Sequence, residues 1–229
     1  MKKIFPILAI LTAGLLSYAL YEALIVAPTE QTMGDVQRIF YYHVPSAWTA
    51  FLLFTINFVA SIVYLIRRNS RADAVAVVTA EVGVVFCTVV LVTGPLWARP
   101  VWGIWWTWDV RLTSTLVLWL IYVSYIMLRR FSTSGQTPVL AAALAVFGAL
   151  DVPLVYFSIW YFRTQHPQPV IGGGGSIDPR MLHVLLINWL AFSCFAFLIC
   201  WSRYRLERLQ RDVEEMQSLE SLLEPRSVR

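Results

Sequence analysis

Five of the ten tryptophans in this 229-residue chain fall between residues 97 and 108: Trp97, Trp102, Trp105, Trp106 and Trp108. Two of the three histidines, His43 and His166, lie in the segments on either side of that stretch. Indoles are broad apolar plates, and a neutral imidazole is a good ligand for iron, two of them sufficing for both axial positions of a haem. Trp102, Trp105 and Trp106 stand at i, i+3 and i+4, which aligns them on one face if the segment is helical. Gly94-Pro95 ends the apolar run before it and Pro100 opens a new one, so a separate interfacial helix carrying a flat tryptophan shelf is expected. An aromatic belt at the headgroup level is the competing explanation. A belt scatters its indoles over every helix end, whereas here half of them sit in one loop. Arg99 and Arg111 flank the segment and can either pair with carboxylates such as haem propionates or snorkel to headgroups.

These residues need a scaffold, and composition says in what solvent it stands. The chain is 58% apolar and only 14% charged, with a mean hydropathy of +0.63, against about 25% charged residues in a typical soluble domain. A globule of this size cannot hide so much apolar surface from water. A soluble enzyme, a nucleic-acid module and a disordered linker are thereby excluded. Six apolar stretches, 4–27, 44–66, 74–96, 112–128, 138–162 and 181–202, reach or approach the span of about 20 residues that a bilayer requires. Backbone polar groups in lipid must be satisfied internally, so such stretches are helices. The expected fold is all-α: a polytopic membrane bundle of six transmembrane helices.

Lys and Arg set its direction. Thirteen of the eighteen, from Lys2, Lys3 and Arg67 to Arg226 and Arg229, fall on one set of helix ends, and Arg38, Arg99, Arg111, Arg163 and Arg180 on the other. Both termini are therefore expected in the cytoplasm. Lys2-Lys3 before an apolar run imitates a signal peptide, but the run is long and lacks an Ala-x-Ala site, so an uncleaved first helix is expected. The domain reading is a six-helix membrane domain, 1–202, with outer loops at 28–43, 97–111 and 163–180, followed by a cytoplasmic amphipathic tail, 203–229. In that tail Leu206, Leu209, Val213 and Met216 repeat at three and four. The inner loops, 67–73 and 129–137, read as plain basic turns. Cys87, Cys194 and Cys200 fall within spans and form no C-x-x-C motif.

Four further residues invite a role. His183 follows an expected Asp178 cap and Pro179 at the first helical position, and reads as packing or as support for the iron ligands. Intramembrane carboxylates usually face a bundle interior or a cavity. Glu22 lies near the outer end of its helix, where it reaches water. Glu81 and Asp151 are deeper and suit either a polar path or interhelical hydrogen bonds. Asp109 is placed to cap the fourth helix, orient an imidazole or bind a partner.

The run Trp102-Gly103-Ile104-Trp105-Trp106-Thr107-Trp108-Asp109-Val110-Arg111-Leu112-Thr113-Ser114 closely resembles the WWD signature of haem-handling membrane proteins. Its Arg-Leu-Thr-Ser ending and the upstream His43-Val44-Pro45-Ser46-Ala47-Trp48 resemble, within that superfamily, the CcmC family of the cytochrome c maturation system. The resemblance spans all six helices. It implies His43 and His166 as axial ligands of a transient, non-covalent b-type haem, with Trp102, Gly103, Trp105, Trp106, Trp108 and Asp109 as the haem and chaperone surface. Gln165 precedes His166 where relatives tend to read Leu-His-Gln. Also implied are a haem-transfer role without classical catalysis, delivery to the haem chaperone CcmE, the ATP-binding-cassette subunits CcmA and CcmB, the small subunit CcmD, and a bacterial inner membrane with the active face periplasmic. A multi-pass permease for another solute is the alternative, supported only by Glu81 and Asp151. An electron-transfer cytochrome b is disfavoured because it requires paired histidines inside its spans.

Overall fold

The computed structural model describes residues 4–162, 164–167 and 177–223. Its helices are α1 (Ile4–Tyr21), α2 (Phe40–Arg67), α3 (Ser70–Trp102), α4 (Val110–Phe131), α5 (Thr137–Ala149), α6 (Asp151–Tyr161) and α7 (Pro179–Leu223). A π-helical turn, Glu22–Val26, extends α1, and a 3-10 turn, Asp35–Ile39, leads into α2. Among the described residues, six helical segments are long and apolar enough to cross a membrane, α5 and α6 together forming the fifth. The all-α bundle of six spans is thus the observed architecture. Arg163, the glycine run 172–175 and the terminal basic residues Lys2, Lys3, Arg226 and Arg229 lie outside the described residues.

The boundaries differ from the expected ones wherever proline misleads. α3 runs unbroken through Pro95 and Pro100 to Trp102 and stops at Gly103, whose φ of 80° is left-handed and whose N–H returns to the Arg99 carbonyl at 3.0 Å. Glycine reaches that conformation without a Cβ penalty, so the cap, not the prolines, ends the helix. Conversely, the single apolar run 138–162 breaks at Leu150 into two helices. Pro153 has no N–H for the Ala149 carbonyl four residues back, and its ring crowds that carbonyl. α2 begins at Phe40, so His43 and Pro45 stand inside its first turns.

Close packing in lipid relies on small residues that let backbones approach. Ala50, Ala80, Ala141, Ala145 and Ala196 lie in the core with almost no exposed surface. At Gly83 of α3 even a Cβ would come within 2.6 Å of the Phe54 ring. Phe54 crosses there from α2 and stacks on Tyr122 of α4 with ring centroids 3.9 Å apart. α2 thereby becomes the central helix, packed against α3, α5 and α7.

The expected plain turn 67–73 holds an ionic cluster instead. Asp73 is 3% exposed. Its carboxylate accepts from Arg129 at the end of α4 and, at 2.7 Å, from Arg211 of α7. Arg211 also pairs with Glu207, and Arg203 reaches Glu81 through two hydrogen bonds of 2.8 and 3.0 Å. Glu81 is therefore an interhelical partner. α7 passes Ser202 without a break, and its Arg203, Glu207 and Arg211 face the bundle. Its apolar Leu206, Leu209, Val213 and Met216 stay exposed.

Candidate functional site

Because successive spans alternate in direction, the end of α1, the start of α2, the end of α3, the start of α4, the end of α6 and the start of α7 gather at one end of the bundle. There His43, one turn into α2, meets Thr93 near the end of α3, with Nδ1 to Oγ1 at 2.9 Å. The Thr93 hydroxyl already donates to the Val89 carbonyl at 2.6 Å, as hydroxyls in helices do. Its oxygen is left to accept, so the His43 ring carries its proton on Nδ1. The Nε2 lone pair is then available. Nothing in the sequence singles out Thr93, which looks like one β-branched residue among many.

The tryptophan segment is not a helix. Trp102 closes α3 and meets Trp97 edge-on, with centroids 5.0 Å apart. Residues 103–109 run as irregular backbone to the start of α4. The expected i, i+3, i+4 shelf is thereby corrected, since the left-handed Gly103 turns the chain after Trp102. Trp106 is half-buried and packs edge-on against Trp108 at 5.8 Å, while Trp105 and Trp108 are 57% and 77% exposed. The exposed indoles form a surface around one sheltered indole, whose buried Nε1–H has no partner among the described residues.

Asp109 organises the rest. Its Oδ1 accepts the Leu112 N–H at 2.9 Å and so caps α4. Its Oδ2 accepts the Thr107 hydroxyl at 3.2 Å and the Thr164 hydroxyl at 2.9 Å. The Thr164 oxygen in turn accepts the His166 N–H at 3.1 Å. One carboxylate therefore joins the tryptophan segment to the segment that carries His166, through a threonine that sequence reasoning passed over. The His166 ring sends Nδ1 to the Pro167 carbonyl at 3.0 Å. A carbonyl can only accept, so Nδ1 holds the proton and Nε2 is again free. Partial burial first, and the Arg111 guanidinium second, push the His166 imidazole down to about 4, so it is neutral across the physiological range. His166 and Arg111 both lie within electrostatic reach of His43. The structure thus brings together His43, His166, Asp109 and Arg111.

The two flanking arginines part company. Arg99 is exposed and donates to the Gly103 carbonyl, completing the end of α3. Arg111 has a buried Nη1 with no hydrogen-bond partner and joins no ion pair among the described residues. A sheltered, unpaired guanidinium suits an incoming carboxylate. His183 is exposed and lines a cavity with Glu22 and Arg180, which corrects the expectation of packing. The expected cap of α7 forms, with Asp178 Oδ1 accepting the Arg180 N–H at 2.8 Å. Asp151 keeps one buried carboxylate oxygen without a partner among the described residues.

The family model described as heme exporter protein C matches residues 1–219. A heme exporter protein C of Bradyrhizobium diazoefficiens is 34% identical over 222 residues, covering 96% of this chain and 84% of its own length. The heme exporter protein C of Escherichia coli K12 is 33% identical over 206 residues, 90% of this chain and 82% of the relative. A putative cytochrome c biosynthesis ccmC-like mitochondrial protein of Arabidopsis thaliana is 31% identical over 93% of this chain and 84% of its own. With the whole bundle matched and several relatives above 30% identity, the chain belongs to the heme exporter protein C family.

Proposed function

We propose that this protein holds a transient, non-covalent b-type haem at the periplasmic face of a bacterial inner membrane and delivers it to the haem chaperone CcmE for cytochrome c maturation. Haem is the cargo, and the protein acts as a handling subunit beside CcmA, CcmB and CcmD. The family's name supports haem as the cargo, and the excess of Lys and Arg at the opposite helix ends supports the orientation.

The observation that carries this reading is that two imidazoles at one end of the bundle each have Nδ1 engaged by a hydrogen-bond partner, which leaves Nε2 open. Hydrogen bonds to the far ring nitrogen fix tautomer and orientation, which is how metal-ligating histidines are held. The donor set suits haem iron, for which two neutral imidazoles are axial ligands. The orphaned Arg111 Nη1 and Trp106 Nε1 supply donors for propionate oxygens. Exposed Trp105 and Trp108 offer indole faces to the porphyrin edge and to the chaperone. Asp109 does not touch the iron in this scheme. It holds the His166 segment in register with the tryptophans through Thr164.

Co-expression with CcmE tests the proposal. Covalent haem on the chaperone is expected with the wild type and with His183→Ala, and is expected to vanish with His43→Ala at equal membrane abundance. Normal chaperone loading by His43→Ala would overturn it.

A further inference from the structure

At the same end of the bundle, a cavity of about 310 Å³ opens between the π-helical turn of α1 and the first turns of α7, lined by Glu22, Val26, Pro28, Arg180, His183 and Val184 among others. Its volume is on the order of ten water molecules. The π-turn shapes one wall, since the Ala27 N–H reaches back five residues to the Glu22 carbonyl at 2.8 Å. Turns of this kind recur at functional sites. Glu22 is 8% exposed, and among the described residues no cationic side chain pairs with it. A sheltered carboxylate at the end of a membrane span is costly to retain without a counter-ion. Arg180 stands across the opening, exposed, and already shares its guanidinium with Asp178 at 2.9 Å. Two carboxylates, Glu22 and Asp178, thus stand beside one guanidinium, Arg180, at the mouth.

We infer that this cavity binds the headgroup of an amine-bearing phospholipid, with the primary ammonium on the Glu22 carboxylate and the phosphate on Arg180 and His183. The depth fits, because Glu22 stands near the end of the first span and Arg180 at the start of the last, where headgroups lie. Two carboxylates against one guanidinium disfavour phosphatidylglycerol. The carboxylate also asks for N–H donors, so phosphatidylcholine, whose ammonium has none, satisfies it less well. Val26 and Val184 give the glycerol and upper acyl chain an apolar wall.

The test is native mass spectrometry of the full-length protein released from nanodiscs with equal phosphatidylethanolamine, phosphatidylcholine and phosphatidylglycerol. Wild type is expected to retain phosphatidylethanolamine several-fold over either other lipid. Glu22→Gln is expected to bring that ratio close to one, and Glu214→Gln, on the exposed end of α7, to leave it unchanged. Should Glu22→Gln fail to accumulate, Arg180→Glu, at an exposed position, decides by the same ratio. Soluble glycerophosphoethanolamine in excess tells the source of the headgroup, and it is expected to compete only weakly because it lacks acyl chains. Equal retention of the three lipids by the wild type, or an unchanged preference in the decisive variant, would overturn the assignment.

Discussion

Thr93→Val is the most informative single substitution, because it leaves every proposed ligand in place. Valine matches threonine in shape and removes only the oxygen that accepts the His43 Nδ1 proton at 2.9 Å. The half-buried ring then has an unsatisfied N–H, a loss of about 1–3 kcal/mol for the free protein. The tautomer that leaves Nε2 open also loses its support. Removing such a partner of a metal-bound histidine costs about 10- to 100-fold in affinity, or about 1.4 to 2.7 kcal/mol. Haem titration of the purified variant, followed by its Soret absorption, is expected to show a dissociation constant raised by that factor, with no loss of protein from the membrane. Thr93→Ser keeps the oxygen and is expected to stay within about fourfold of wild type, since one methyl group is lost. If Thr93→Val binds as tightly as wild type while His43→Ala does not bind, the hydrogen bond plays no part in orienting the ligand.

Other substitutions separate the remaining parts. Asp109→Asn keeps one acceptor oxygen, enough to cap α4 or to hold Thr164 but not both. Its thermal stability is expected to change by under about 1 kcal/mol, while the low-spin haem fraction falls. Arg111→Gln removes the sheltered cation and is expected to weaken haem binding more than Arg99→Gln in the same titration. Equal effects would show that Arg111 has no special contact. Replacing Trp105 and Trp106 together by Ala is expected to lower chaperone loading by about a few kcal/mol worth of contact, with the protein still in the membrane. At the opposite end, Asp73→Ala strands Arg129, leaves Arg211 paired with Glu207 alone, and is expected to destabilise the bundle by about 3–5 kcal/mol. Fluorescence-detected thermal denaturation in detergent reads it, and an unchanged midpoint would mean that the cluster is solvated.

How much of this was legible in the sequence depends on the range of the interaction concerned. Apolar run length found all six spans, because the bilayer imposes it locally. Helix ends are not legible at Pro95, Pro100 and Pro153, since the same residue type continues α3 and breaks the fifth span. Tertiary packing decides between those outcomes, and the local sequence does not record it. His43 and the tryptophans stood out by type and spacing. Thr93 and Thr164 did not, because a hydroxyl becomes significant only when a partner from another element meets it. Asp73 was hidden in a short basic segment, and its burial follows from Arg129 and Arg211 arriving from helices 56 and 138 positions away in sequence. Gly103 stands in the sequence only as one member of a motif, although its left-handed backbone is what turns the tryptophan segment away from a helix.

In the proposed function, two Nε2 atoms at one end of the bundle, from His43 and His166, hold the iron of the cargo. Optical spectroscopy of protein purified with haem tests it most directly, comparing wild type with His43→Gly and His166→Gly before and after adding free imidazole. Wild type is expected to be six-coordinate and low-spin. Each variant is expected either to lose haem or to shift to a five-coordinate or water-ligated spectrum, with partial return of the low-spin form on adding imidazole. A wild-type spectrum from either variant before imidazole is added would contradict the assignment of that histidine as a ligand.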